Sequence, residues 1–200
     1  MADNLILEAR ENDNTLCGLR LESRQWLEED FSSLELEYVV FGHCRFDDCN
    51  FYSANFYKTE FISCDFSNCR FQKSYWNQST IHASKGNGAV FTESVFKYCT
   101  LSESQFQYAN FPKVLFEHTS FIDTSFAQAS FQSGVFKQAK MKNVILSGAE
   151  LFHAQLGKLD LSSCAIDAIR VSTALTELRG IKINPSQAVD IIPLLGIQMI

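Results

Sequence analysis

Large apolar residues recur at every fifth position along most of this chain. The series runs from Leu16 to Ile166 in one unchanged register, and Gly86 is its single interruption. Seventeen of the 18 phenylalanines lie on it, and Phe152 is the exception. One large side chain is therefore used as a repeated structural part.

A period of five fits neither regular secondary structure. Five residues rotate an α-helix by about 500°, so the large residues would spiral around the whole helix. In a flat strand they would alternate between the two faces, because five is odd. A chain that bends by about 90° every five residues keeps each of them pointing inward. Four such segments close a coil of about 20 residues, and stacked coils form a solenoid.

A second column of small residues lies two positions before each large one. Six of the seven cysteines fall in it, together with serine, alanine and threonine. Since side chains alternate along an extended segment, both columns point inward. We interpret these cysteines as small core residues, not as disulfide or metal-binding groups, which fits a reducing cytoplasm.

Four local motifs carry a family resemblance. Cys49-Asn50-Phe51, Ala54-Asn55-Phe56, Cys64-Asp65-Phe66-Ser67 and Ala109-Asn110-Phe111 resemble the motif of the pentapeptide-repeat family, small–(Asn/Asp)–(Leu/Phe)–(Ser/Thr)–any. The resemblance implies an all-β solenoid, a right-handed quadrilateral β-helix, over about residues 16–170. At about 4.8 Å per coil, roughly seven coils would form a rod of roughly 35 Å. Residues 1–15 lack the repeat and are expected to form an N-terminal arm or an irregular cap.

The C-terminal residues 171–200 change to a helical, very apolar pattern. Ser172 or Thr173 could cap a short helix, Asn184-Pro185 is typical of a second helix start, and Pro193 should bend or shorten that helix. Such a segment either caps the last coil of a monomer or forms a homodimer interface, and we favour the dimer. The residues expected at that interface are Ile181, Ile183, Ile191, Ile192, Leu194, Leu195, Ile197 and Met199.

The stretch from Leu178 to Ile197 resembles the C-terminal signature of one subgroup, the Qnr- and MfpA-type proteins. That resemblance implies binding to DNA gyrase or topoisomerase IV, partly by mimicry of duplex DNA, and protection of the enzyme from quinolones or other topoisomerase poisons. It leaves open whether the protein protects or inhibits the enzyme.

Residues 82–89 surround the interruption of the large column. A Gly-Asn-Gly sequence permits positive φ and a tight projection. Two interpretations stay open, a projecting loop that contacts a partner, as in Qnr-type proteins, and one degenerate coil. The loop residues would be Lys85, Gly86, Asn87 and Gly88.

Net charge is uneven along the chain. Of the formal −6, residues 1–65 contribute 14 acids and 5 bases, or −9, and residues 66–200 contribute 9 acids and 12 bases, or +3. Direct nucleic-acid binding through a basic surface is not supported. The acidic surface expected to face a partner comprises Glu28, Glu29, Asp30, Glu35, Glu37, Asp47 and Asp48. The alternative is that these residues are merely solvated corners.

No pattern of catalysis, cofactor binding or metal binding stands out. The histidines form no HExxH pair, the cysteines form no CxxC knuckle, and there is no phosphate-binding glycine loop. No apolar run reaches the ~20 residues of a membrane helix, and the N-terminus does not resemble a secretory signal. We therefore expect a cytoplasmic, non-enzymatic protein that needs no cofactor. If it is not a topoisomerase-binding protein, the alternative is an interaction scaffold with an unrelated partner. A secreted effector is a weaker third hypothesis.

Overall fold

The computed structural model describes residues 5–198, which form a stack of four-sided coils. Two sides are parallel sheets of seven strands each, and we number the four sides in the order in which the chain visits them. Side 1 contains β1 (Thr15–Cys17), β4 (Glu35–Glu37), β7 (Asn55–Tyr57), β9 (Tyr75–Asn77), β11 (Val95–Lys97), β13 (Leu115–Glu117) and β15 (Val135–Lys137). Side 2 contains β2 (Arg20–Glu22), β5 (Val40–Gly42), β8 (Glu60–Ile62), β10 (Thr80–His82), β12 (Thr100–Ser102), β14 (Ser120–Ile122) and β16 (Lys140–Lys142). Side 3 begins with β3 (Gln25–Leu27) and β6 (Arg45–Asp47).

Residues twenty positions apart lie one above the other. Leu36 pairs with Phe56 on side 1 and Phe41 pairs with Phe61 on side 2. Beyond β6, side 3 continues as single bridges such as Asp65–Lys85, and side 4 consists of such bridges from Asp30–Asn50 to Glu150–Arg170. The predicted β-solenoid of pentapeptide repeats is therefore confirmed.

The corners use a left-handed backbone conformation. The second residue after each large one, for example Ser53 with φ 54°, has positive φ at almost every repeat. On side 4 the bend is a tight turn in which the Ala54 N–H donates to the Phe51 C=O at 3.1 Å. Positive φ is uncommon for residues other than glycine and raises the conformational energy of each corner. Packing and hydrogen bonding between the stacked coils must offset that energy.

Aromatic rings fill the interior. On side 4, rings one coil apart stack face to face with centroid distances of 4.6 Å for Phe31–Phe51 and 5.1 Å for Phe111–Phe131. The small column carries its own hydrogen bonds, because the Thr59 hydroxyl donates to the Leu36 C=O at 2.8 Å and the Ser79 hydroxyl to the Phe56 C=O at 3.1 Å. Hydroxyls in this column are therefore compatible with a dry core.

A short helix covers the N-terminal end. Helix α1 (Leu5–Glu11) buries Ile6 and Ala9, and the Arg10 guanidinium donates to the Asp30 C=O at 3.2 Å. In the described part of this segment, residues 5–15, the helix packs on the core as a cap.

The C-terminal segment completes the other end. It contains 3₁₀ turns at Thr176–Leu178 and Pro185–Gln187, helix α2 (Ala188–Ile191) and a 3₁₀ turn at Ile192–Leu195. The expected helix start at Asn184-Pro185 is present as a capping box with Gln187. The expected cap at Ser172 or Thr173 is wrong, since the residue before the first turn is Leu175 and Ser172 instead donates its hydroxyl to Glu177.

Candidate interaction surfaces

Six cysteines are buried in the interior, and the pKa of one of them, Cys44, is lowered by its hydrogen bond with the Cys64 thiol. Burial raises the pKa of the Cys99 thiol to about 12 and raises that of Cys164, so these thiols are protonated and unreactive at neutral pH. Within residues 5–198, no group of three histidine, cysteine or acidic side chains could hold a metal ion. No helix in that same range is long and apolar enough to cross a membrane.

Five of the predicted acidic residues lie at one corner of the rod or next to it in sequence. Glu28 and Asp48 occupy the same corner position in consecutive coils, between sides 3 and 4, and Asp47, Glu29 and Asp30 adjoin them in sequence. We call this set the acidic corner: Glu28, Glu29, Asp30, Asp47 and Asp48.

Hydrogen bonds fix part of this corner. The Asp30 carboxylate accepts from the Asn50 amide at 2.9 Å and the Ser32 N–H at 3.1 Å. Partial burial favours the neutral acid, but these bonds and the Arg10 charge outweigh it and lower the Asp30 pKa. Asp47 is paired with Arg45 at 2.8 Å. Asp30 is thus ionised at neutral pH, while part of the charge of Asp47 is neutralised by its partner.

Glu35 and Glu37 do not belong to the acidic corner. They flank Leu36 on β4, which lies on side 1, and side 1 is opposite side 3 in a four-sided coil. The Glu35 carboxylate accepts from the Asn55 amide of the next coil at 2.7 Å. The seven acids predicted as one surface therefore divide between two sides of the rod.

A groove lies beside the acidic corner. Glu28, Asp48, Asn68 and Arg70 line this space of about 460 Å³. It opens where side 3 changes from a three-residue strand in β6 to a tight turn at the next coil, in which the Cys69 N–H donates to the Phe66 C=O at 3.2 Å.

Residues 82–89 do not project from the rod, so the loop interpretation is wrong in its geometry. Lys85 bridges to Asp65 below and Gln105 above, in the ordinary register of side 3. The Gly86 backbone points into the core, where an added Cβ would lie 2.5 Å from the Phe66 ring and 2.8 Å from the Phe106 ring. Those two rings, two coils apart, tilt into the vacant position with centroids 6.0 Å apart. The space that a large side chain would occupy at this position is thus filled by rings of the coils above and below, and the coil stays regular.

The predicted C-terminal interface residues divide into two groups. Ile181, Ile183, Ile191 and Leu194 are partly buried against the chain's own core. Leu195 and Ile197 are 55% and 53% exposed, Ile192 is half-buried, and Met199 lies outside the described residues. The segment therefore caps its own coil with one face and leaves an apolar face in solvent.

Two polar residues of this segment were not anticipated. Gln187 is buried and its amide donates to the Leu161 C=O at 2.8 Å and the Cys164 C=O at 2.6 Å. The Glu177 carboxylate accepts from the His153 N–H at 2.6 Å and the Ser172 hydroxyl at 2.9 Å. They replace the partners that a further coil would have supplied. For Gln187 the signal was in the sequence, as the last residue of a capping box.

Comparisons with known proteins agree with this architecture. Two family profiles, both described as pentapeptide repeats, match residues 36–80 and residues 99–148. No curated protein matches the chain.

The chain also matches solved structures, among them QnrB1, a plasmid-mediated fluoroquinolone resistance protein. The full-length QnrB1 structure is 21% identical over 92% of this chain and 100% of that one, with a TM-score of 0.48. A trypsin-treated QnrB1 variant is 23% identical over 93% and 97%, with a TM-score of 0.49. HetL, involved in heterocyst differentiation regulation in Nostoc sp. strain PCC 7120, is 12% identical over 91% and 94%, with a TM-score of 0.42.

Proposed function

We propose that this chain, which belongs to the pentapeptide-repeat family, binds the DNA-binding surface of DNA gyrase or topoisomerase IV and protects that enzyme from quinolones or other poisons. The observation that carries the proposal is the acidic corner, where Glu28 and Asp48 repeat one coil apart on the rod. The resemblance of the C-terminal segment to the Qnr- and MfpA-type signature points to the same partner.

The mimicry of DNA in this proposal is local. Duplex DNA carries about one charge per 1.7 Å, so roughly 35 Å of it carries roughly 20, whereas this chain carries −6. The positively charged DNA-binding surface of the enzyme would therefore recognise the acidic corner and the shape of the rod, not an even field of negative charge. Such recognition weakens with salt, because the charges involved are exposed.

Side 3 is the face we assign to the topoisomerase. Lys85 lies on it, in the ladder of bridges that runs from Arg45 through Asp65, and Asn87 follows two residues later in the chain. Lys85 is exposed and Asn87 is half-buried, with its side-chain oxygen accepting from the Gln107 N–H at 2.9 Å, while Gly86 is buried and serves only the core. In this proposal the predicted loop residues contact the partner as part of side 3, not as a projecting loop.

We further propose a homodimer through the exposed face of the C-terminal segment. Val189, Leu195 and Ile197 are each more than half exposed, and a second copy would cover them. A dimer joined there would carry one acidic corner near each outer end. Leu195→Glu should convert the dimer to a monomer in sedimentation velocity, whereas Leu27→Glu, at a leucine near the other end that is even more exposed (67% against 55%), should not.

The proposal is tested by a gyrase supercoiling assay with ciprofloxacin, in which purified protein is added in steps. Rescue of supercoiling is the expected result, and Glu28→Gln with Asp48→Asn should weaken it at unchanged fold. The matched control is Glu35→Gln with Glu37→Gln, which removes two charges from the opposite side. Inhibition without rescue would identify a DNA-competitive inhibitor, and no effect would refute the topoisomerase proposal.

A scaffold for another protein is the second candidate. Side 1 and its corners carry exposed aromatic residues, among them Tyr38, 48% exposed, and Tyr98, 57% exposed and stacked on His118 at 4.8 Å. Tyrosine is enriched at protein interfaces. A pull-down in which Tyr38→Ser and Tyr98→Ser abolish capture, while the acidic-corner variant does not, would favour this candidate.

A further inference from the structure

The backbone ladder between the last two coils is open at the corner of sides 1 and 2. One coil earlier, the His118 N–H donates to the Lys137 C=O at 3.0 Å, and the Lys140 N–H donates to the Thr119 C=O at 2.9 Å. At the next level the equivalent groups are the Gln138 N–H and the Ala139 C=O. Within residues 5–198, neither has a hydrogen-bond partner.

A change of turn form causes the opening. Side 1 is a three-residue strand in every coil through β15, but the next coil makes a tight turn in which the Leu159 N–H donates to the Leu156 C=O at 3.3 Å. Gly157 supplies the positive φ of 64° for this turn. Side 2 ends in the same way, so that β16 is an edge strand. The strand and the tight turn orient their peptide groups differently. The two coils are therefore adjacent here without backbone hydrogen bonds between them.

The opening is a groove with basic walls. A space of about 360 Å³ is lined by Phe136, Lys137, Gln138, Ala139 and residues 156–159, which include Lys158. Lys140 and Lys142 lie on β16 next to it. In the part of the chain that the structure describes, Lys140, Lys142 and Lys158 form no ion pair, whereas Lys137 is paired with Glu117.

We propose that this groove, which we call the basic groove, binds an extended acidic segment of a partner protein. The segment would pair with the open backbone at Gln138 and Ala139, and its carboxylates would meet the surrounding lysines. An exposed strand edge is a template for such addition, in which backbone bonds give affinity and side chains give specificity. The inference stands independently of the proposed topoisomerase function.

The backbone groups favour a peptide over a phosphate ligand. The edge offers an acceptor, the Ala139 C=O, directly beside a donor, the Gln138 N–H. A peptide strand supplies both complementary groups. A phosphate ester chain supplies only acceptors, so the carbonyl would stay unpaired and would face a negative charge.

The test measures fluorescence anisotropy with a labelled peptide of alternating glutamate and threonine, about ten residues long, at low salt. The full-length protein should bind it. Lys142→Glu with Lys158→Glu should weaken binding by about tenfold or more, because attraction becomes repulsion at two exposed positions. Lys73→Glu with Lys113→Glu is the matched control, at the corner between sides 4 and 1, and should change the affinity less than threefold.

A second probe separates strand addition from simple charge attraction. A peptide of alternating glutamate and proline has the same charge but lacks the N–H groups at every proline. Weaker binding of this peptide supports the proposal, and equal binding overturns it. The proposal is also overturned if the glutamate–threonine peptide fails to bind, if a short DNA duplex displaces it at lower concentration, or if self-association of the protein blocks the groove.

Discussion

The regular coils and the C-terminal end satisfy their backbone hydrogen bonds by different means. In the coils, each backbone ladder pairs with the next, and phenylalanine rings such as Phe71, Phe91 and Phe111 stack at 4.7–4.8 Å. At the end no next coil exists, and the side chains of Gln187 and Glu177 take the place of its backbone. A repeat thus supports itself by repetition, whereas its end depends on individual residues.

The largest expected effect breaks the stack in the regular region. Phe91→Ala removes a ring that lies between Phe71 and Phe111, and the loss of burial plus the cavity should lower the free energy of unfolding by about 3–5 kcal/mol. Chemical denaturation measures it. Phe152→Ala is the control, because Phe152 lies off the inward register and is only half-buried. An equal loss in both variants would contradict the special role of the inner column.

The next effect concerns the one gap in that column. Gly86→Ala places a methyl group against the Phe66 and Phe106 rings, and overpacking of this kind should cost about 1–3 kcal/mol. Gly134→Ala is the comparison and should cost less, since an added Cβ there would lie 3.0 Å from the Phe131 C=O and 3.3 Å from the Val114 side chain, farther than the 2.5 Å and 2.8 Å at Gly86. If Gly86→Ala were neutral in thermal unfolding, the two rings would not be held in the gap as described.

At the C-terminal end, Gln187→Leu should act locally. It leaves the Cys164 carbonyl without a donor and removes one of the two donors of the Leu161 carbonyl, which keeps its bond from the Cys164 N–H. Loss of a donor to a buried polar group costs about 1–3 kcal/mol. Hydrogen exchange should rise in residues 159–195 and stay unchanged in the central coils. Gln132→Leu, at an exposed position of side 4, should leave both regions alone. A uniform rise along the rod would mean that cap and coils unfold as one unit.

The smallest effect is a pH dependence of the same end. Burial raises the pKa of Glu177, but hydrogen bonds from the backbone and from Ser172 outweigh it and hold the pKa below the ordinary 4.5. The charged form is thus favoured by folding, so its stabilisation is full above pH 4.5 and is lost as the pH falls through the depressed value. Proteolysis of the C-terminal segment should become faster in that range. Glu177→Gln should remove the pH dependence, and its persistence would implicate another acid.

The sequence predicted the coils because the five-residue period has only one packing solution. Residues twenty apart share a side, which separates Glu35 and Glu37 from Glu28 and Asp48 by counting alone. The filled gap at Gly86 could not be foreseen in this way, since it depends on how far the Phe66 and Phe106 rings tilt. The basic groove depends on a turn form, for which Gly157 was the only sign.

The in-register pairing at twenty residues makes the coil a unit of length. Inserting or deleting one whole coil would change the rod by about 4.8 Å and leave every outward residue on its original side. The distance between the acidic corner and the C-terminal face can therefore be changed in steps of one coil without altering either surface. Evolution can fit such a protein to partners of different spacing by copying twenty residues at a time.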